Sequence, residues 1–308
     1  MRDAFVARLL ELARHDTRLC LVTGDLGFGV LDQFEKQLPR QYLNVGVAEQ
    51  NMAAVATGMA LEGLMPFTYS IGNFPTLRCL EQLRNDAFYH DASVKVVCIG
   101  GGFTYGQLGM SHHATEDLSI LRALPNVTIV APANDFETVA AVDALIARPG
   151  PAYLRIERSA DASRDPGAAA PFVLGKARIL GAGGDLAIFA IGGVVSEALA
   201  AAEALSRSGI SARVISMHTL KPFDHETVLG VIRESRAVIS IEENTVLGGL
   251  AGAISEACLE GGVFPRRFAR LGMRDEYSVV VGDQQYLRAH YRIDRNAIIE
   301  TARGLLAG

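Results

Sequence analysis

The chain has 308 residues, of which 49% are hydrophobic and 20% charged. That length predicts two domains of roughly 150 residues each, with apolar material enough for two cores. A net charge of −5 gives no reason to expect nucleic acid or an anionic membrane surface as a partner.

The first residues, MRDAFVARLLELARHD, predict an amphipathic helix with Phe5, Leu9, Leu10 and Leu12 along one side. Its acidic residues and interrupted apolar run do not make a signal peptide. No run approaches the roughly 18 apolar residues a membrane span needs. A strand follows at Arg18 to Thr23, opening into Gly24-Asp25-Leu26-Gly27, and a short one at Tyr42 to Val45 breaks at Gly46. Next comes a helix crowded with small residues, Ala48, Ala53, Ala54, Ala56, Gly58 and Ala60, a composition that lets another backbone approach and suits a subunit interface. Glu49 falls in its first turn, where any carboxylate complements the helix dipole.

The alternation continues with strand Met65 to Ser70, a helix over about Thr76 to Tyr89 and strand Val94 to Ile99. The glycine-rich loop GGGFTYGQLGMSHH leads to helix Thr115 to Arg122, strand Val127 to Ala131, helix Asp135 to Ala147 and strand Ala152 to Glu157. The loop does not fit G-x-G-x-x-G, so it is a poor phosphate cradle. Residues 1–160 thus predict one α/β domain. Pro, Gly and small polar residues after it predict a linker over 161–184. From Asp185 to 308 strands LAIFAIG, ARVISM and AVISIEE alternate with helices near 196–208, 225–235, 249–260 and 295–306. The fold class expected is α/β throughout, each domain a mainly parallel sheet flanked by helices. Cys20, Cys79, Cys98 and Cys258 stand singly, as buried thiols of a cytoplasmic protein do.

The run Asn44-Val45-Gly46-Val47-Ala48-Glu49-Gln50-Asn51-Met52, followed by the small-residue helix, resembles the thiamine-diphosphate enzymes of the transketolase family. The likeness extends over nearly the whole chain, but only to the C-terminal half of a full-length transketolase. It implies a pyrimidine-binding fold followed by a transketolase C-terminal domain. It also implies that Glu49 hydrogen-bonds the cofactor's aminopyrimidine ring. In such enzymes a carboxylic acid beside the pyrimidine N1′ favours the imino tautomer, whose nitrogen then takes the thiazolium C2 proton. A dry, apolar cleft with a raised carboxyl pKa suits that task, and Val45, Val47 and Met52 flank Glu49.

The same resemblance assigns an aromatic partner for the pyrimidine to the segment Tyr69 to Phe74, with Phe74 as first choice and Tyr69 as second. Arg78, in a segment resembling deoxyxylulose-phosphate synthases, would line the cofactor cleft. In GMSHHATEDL, His112 takes the place of the histidine that contacts the donor sugar, and His113 is a further substrate-binding candidate. Arg158 resembles the arginine that grips the sugar phosphate; a surface ion pair with Glu157 is the alternative. Arg155, three positions back on the strand, would face the other way. Two family positions depart: Gly100 and Leu108 stand where transketolases carry a histidine and an aspartate that read the sugar. Glu242 and Glu243 read as structural, in a domain that contributes no base.

Nothing resembles the G-D-G…N signature that holds Mg²⁺ and the cofactor's diphosphate, and no metal ligands are expected in this chain. The resemblance therefore implies a separate N-terminal, diphosphate-binding subunit, an α₂β₂ assembly and small-molecule sugar substrates. The reaction implied is transfer of a two-carbon ketol unit from a ketose to an aldehyde. Two alternatives share the fold and the glutamate, the β subunit of a 2-oxo-acid dehydrogenase and a deoxyxylulose-phosphate-synthase-like acyl-forming enzyme. One of another class is a non-catalytic assembly subunit.

Overall fold

The computed structural model describes all residues except 160, 161, 164, 166–169 and 308, so the linker expected over 161–184 lies partly outside the described residues. Among the described residues twelve strands run in chain order: β1 (Leu19–Thr23), β2 (Tyr42–Asn44), β3 (Met65–Ile71), β4 (Lys95–Ile99), β5 (Thr128–Val130), β6 (Ala152–Ile156), β7 (Arg178–Ile179), β8 (Leu186–Ile191), β9 (Ala212–Ser216), β10 (Thr219–Lys221), β11 (Ala237–Thr245) and β12 (Phe268–Met273). Continuous apolar runs at β1, β3, β4, β6 and β8 bury nearly every residue, as strands covered on both faces must.

These strands form two sheets, in the orders β10-β5-β6-β4-β3-β1-β2 and β12-β11-β8-β9-β7. Neighbours within β5-β6-β4-β3-β1-β2 and within β12-β11-β8-β9 pair in parallel. The two exceptions are antiparallel edges. Strand β7, inside the stretch expected as a linker, pairs with β9, and β10, from beyond Asp185, pairs with β5 of the first sheet. The second half of the chain thus closes one edge of the first sheet.

Three layers of apolar side chains hold the molecule. One packs the Arg2–Ala13 helix on β1, β3 and β6 through Phe5, Leu9, Phe67, Tyr69 and Leu154. A second lies within the second half, around Leu186, Ile188, Val214 and Ile239. The third joins the halves: Ala53, Ala56, Cys98 and Tyr153 belong to the same buried cluster as Phe189, Ile215, Val238 and Ile254. Four cysteines are free and buried.

Sequence patterning does not predict strands β7, β10 and β12 or the short helices Asp32–Gln37 and Gln284–His290. Two or three residues carry no periodicity to detect, and β12 begins among Arg266, Arg267 and Arg270 with only its last half buried. Among the described residues no helix is long and apolar enough to cross a membrane.

Candidate active site

All the parallel strands of the first sheet end on one edge, and the loops beyond those ends are where α/β sheets hold ligands. The Glu49–Leu61 helix starts there after β2, with Glu49 as its first residue. Its inner face, Met52, Ala53, Ala56 and Thr57, is buried, whereas Asn51, Ala54, Gly58 and Leu61 face outward. Glu49 is only 2% exposed. Its Oε2 accepts from Nη1 of Arg78 at 2.9 Å, and its Oε1 has no partner among the described residues.

Arg78 enters from the helical segment after β3 and is itself half exposed. The guanidinium carbon lies 4.3 Å from the centroid of the Phe74 ring, a cation–π contact. Phe74 in turn meets His112 edge to face, centroids 5.1 Å apart. Glu49, Arg78, Phe74 and His112 therefore form one continuous chain of contacts. The cleft differs from the apolar surroundings expected for Glu49: its carboxylate is matched by a guanidinium, and Val47 is 72% exposed.

The loop bearing His112 is fixed from two sides. Gly72, at φ +51°, lets the loop pass so closely that a Cβ there would stand 2.8 Å from the His112 carbonyl oxygen. The Asn73 amide donates to the His113 carbonyl. His112 Nδ1 lies 3.1 Å from Ser111 Oγ; with that hydroxyl donating, the ring carries its proton on Nε2. Burial, with His113 and the Arg78 charge adding to it, holds the His112 pKa below the ordinary imidazole value.

His113 does not share this cleft. Only 2% exposed, it places Nε2 3.1 Å from the Gly106 carbonyl and meets Phe103 edge-on, which is packing geometry. Tyr69 likewise lies away from this cleft. Side chains alternate along β3, so Tyr69 joins Phe67 against the Arg2–Ala13 helix, stacked on Phe5 at 6.2 Å, while the Glu49 helix covers the other sheet face.

Arg158 lies beyond the end of β6 and is exposed, and its guanidinium has no partner among the described residues. The alternative pairing with Glu157 does not form, because Glu157 is taken by Arg155 and by the backbone N–H of Gly193. Arg155, fully buried, also binds Asp117 at 2.9 Å and the carbonyls of Ala114 and Glu243. Arg158 borders a cavity of about 290 Å³, with Arg2, Gly100, Thr104 and Tyr105 around it.

Glu242 and Glu243 are fully buried. Glu242 accepts from the N–H groups of Leu250 and Ala251, capping the Leu250–Gly261 helix, and burial pushes its pKa up to about 7. Glu243 accepts from the Phe103 N–H, Gln284 and Arg288. It thereby ties the second half of the chain to the base of the His112 loop.

Comparison with known proteins shows matches along almost the full chain. Residues 1–161 match the transketolase pyrimidine binding domain, and residues 175–298 the transketolase C-terminal domain. A 6-deoxy-6-sulfo-D-fructose transketolase subunit of Clostridium sp. (strain MSTE9) is 38% identical over 98% of this chain and 93% of its own. An apulose-4-phosphate transketolase subunit of Phocaeicola vulgatus is 37% identical over 98% of this chain and 96% of its own. A solved structure described as a split gene transketolase, inactive beta4 tetramer, superposes with TM-score 0.87 at 30% identity, covering 99% of this chain and 98% of that one.

Proposed function

The chain belongs to the transketolase family, and from that premise we propose that it is the pyrimidine-binding subunit of a split, thiamine-diphosphate-dependent enzyme. The reaction is transfer of a two-carbon ketol unit from a ketose to an aldehyde. The partner is an N-terminal, diphosphate-binding subunit, and the assembly α₂β₂, in the cytoplasm. Two relatives are named as subunits and the structural neighbour as the product of a split gene, which supports a divided enzyme. The working domains are 1–160, a linker over 161–184, and 185–308.

The observation that carries this reading is the contact chain Glu49–Arg78–Phe74–His112 at the carboxyl edge of the sheet. Its residues fit an aminopyrimidine: a buried carboxylate with one free oxygen, beside a flat cation stacked on an aromatic ring. Mg²⁺ would be held together with the diphosphate, for which this chain carries no G-D-G…N signature. Its ligands are assigned to the partner subunit.

Bound thiamine diphosphate supplies the carbon nucleophile that takes up and releases the ketol unit. Glu49 would hold a proton between its Oε1 and the pyrimidine N1′. Arg78 and Phe74 would form the wall against which the ring lies. His112 would donate from Nε2 to the oxygen of the reacting carbonyl, where negative charge develops. Arg158 would bind the anionic far end of the sugar. Neighbouring strands lie about 4.8 Å apart, so the step from β3, which precedes Phe74, to β6, which precedes Arg158, is roughly 10 Å, the scale of an extended sugar phosphate.

In the complex reconstituted with its partner, Glu49→Gln is expected to lower ketol transfer at least about a hundredfold, the scale of general acid–base work. Full activity in that variant would make the chain a non-catalytic assembly subunit.

A further inference from the structure

The cavity beside Arg158 is shaped by a side chain with no role in the mechanism above. Gly100, which follows β4, has φ +94°, and a Cβ built on it would collide with Cδ2 and Cε2 of Tyr105. The Tyr105 ring fills the space that a side chain at position 100 would take. Gly100 and Tyr105 both line the cavity with Thr104, Arg2 and Arg158. Within this group, Arg2 is bonded to Asp3, the N-terminal ammonium to Asp135 and Glu157 to Arg155. Arg158 is left as the cation without a partner among the described residues. Tyr105 is half buried, and no group among the described residues hydrogen-bonds its hydroxyl. Burial raises the phenol's pKa although Arg2 and Arg158 both act to lower it, so the hydroxyl keeps its proton and is a donor at neutral pH.

We infer that Tyr105 is a specificity-determining residue: its ring closes the space left by Gly100, and its hydroxyl, together with the Arg158 guanidinium, recognises a tetrahedral oxyanion at the far end of the substrate. Tyr105 and Arg158 both line this cavity, and a phenol donor with a guanidinium can give neutral and charged hydrogen bonds to separate oxygens of one such group. The inference rests on the assignment of Arg158 to the substrate. It adds that a neutral donor, the Tyr105 hydroxyl, shares with Arg158 in reading that anionic end group. Phosphoryl and sulfonyl ends present the same chemistry.

Binding to the intact chain tests this without requiring turnover. Inorganic phosphate and methanesulfonate are titrated in parallel at low ionic strength, by calorimetry, into wild type, Tyr105→Phe and Arg158→Met; thermal melting without ligand verifies folding. The expected result is saturable binding of at least one anion by wild type. Tyr105→Phe should weaken it about tenfold, the worth of one hydrogen bond to a charged group, and Arg158→Met on the order of a hundredfold. The preferred anion identifies phosphoryl or sulfonyl as the end group. No binding by wild type overturns the site, and unchanged affinity in Tyr105→Phe reduces Tyr105 to a space-filling residue. In the reconstituted complex, Tyr105→Phe should raise KM for a phosphorylated or sulfonated ketose and leave KM for its uncharged counterpart unchanged. Anion binding without ketol transfer would overturn only the functional reading.

Discussion

At the scale of single residues the site is governed by which charge faces which ring. Arg78 is shared between Glu49 and Phe74, and its charge also reaches His112. Burial, His113 and Arg78 all oppose protonation of His112, so it loses its proton at a lower pH than a free imidazole and is neutral at pH 7. Replacing the guanidinium removes one of those three influences. In Arg78→Met the His112 titration midpoint should therefore move up, toward the ordinary imidazole value, as followed by NMR of the ring protons. A midpoint that stays or falls would mean that the Arg78 charge does not reach the imidazole. Glu49, Phe74, Arg78 and His112 could be singled out from sequence only through the family resemblance of the separate segments that carry them. The Glu49–Arg78 pairing could not, since 29 residues separate the two partners.

At the scale of elements the loop after β4 depends on the turn after β3. Gly72 combines a left-handed backbone with the close passage of the His112 carbonyl. Gly72→Ala should cost about 1–2 kcal/mol for the backbone conformation alone, measured by urea unfolding. It should also lower ketol transfer in the complex beyond what that instability explains, because the methyl displaces His112. Gly58→Ala is the contrasting case. That glycine is helical and a Cβ there meets nothing within 4 Å, so the change should stabilise the chain by about 0.5–1 kcal/mol. The long apolar elements were legible in the sequence, with Met65–Ile71, Asp135–Ala147 and Ala237–Thr245 all expected within two residues of where they fall. The short β10 was not, because three residues gain strand geometry only from the edge of β5 that they pair with.

For the whole molecule, the two halves are joined by buried charge as well as by apolar packing. Arg155 reaches Asp117 and Glu157 of its own half, the Ala114 carbonyl at the base of the His112 loop, and the Glu243 carbonyl of the other half. Glu243 extends the network to Arg288 and Gln284. Removing one partner from such a set leaves carboxylates buried without a cation, so Arg155→Met should destabilise the chain by about 3–5 kcal/mol in equilibrium unfolding. A loss below about 1 kcal/mol would show that water relieves the remaining charges. The network also gives the second half a task at the site: it braces the loop that bears His112.

Apolar period, strand-helix alternation and the Glu49 motif lie within short windows of the chain, so the sequence alone determined the α/β class, the order of the long elements and the family resemblance. Side-chain direction and long-range pairing do not. Only the tertiary structure turned Tyr69 into the core, buried His113, matched Glu157 to Arg155 rather than Arg158, and set Tyr105 in the space above Gly100. Each of those outcomes depends on atoms far apart in the chain competing for one buried volume or one charge, and local composition carries no record of that competition.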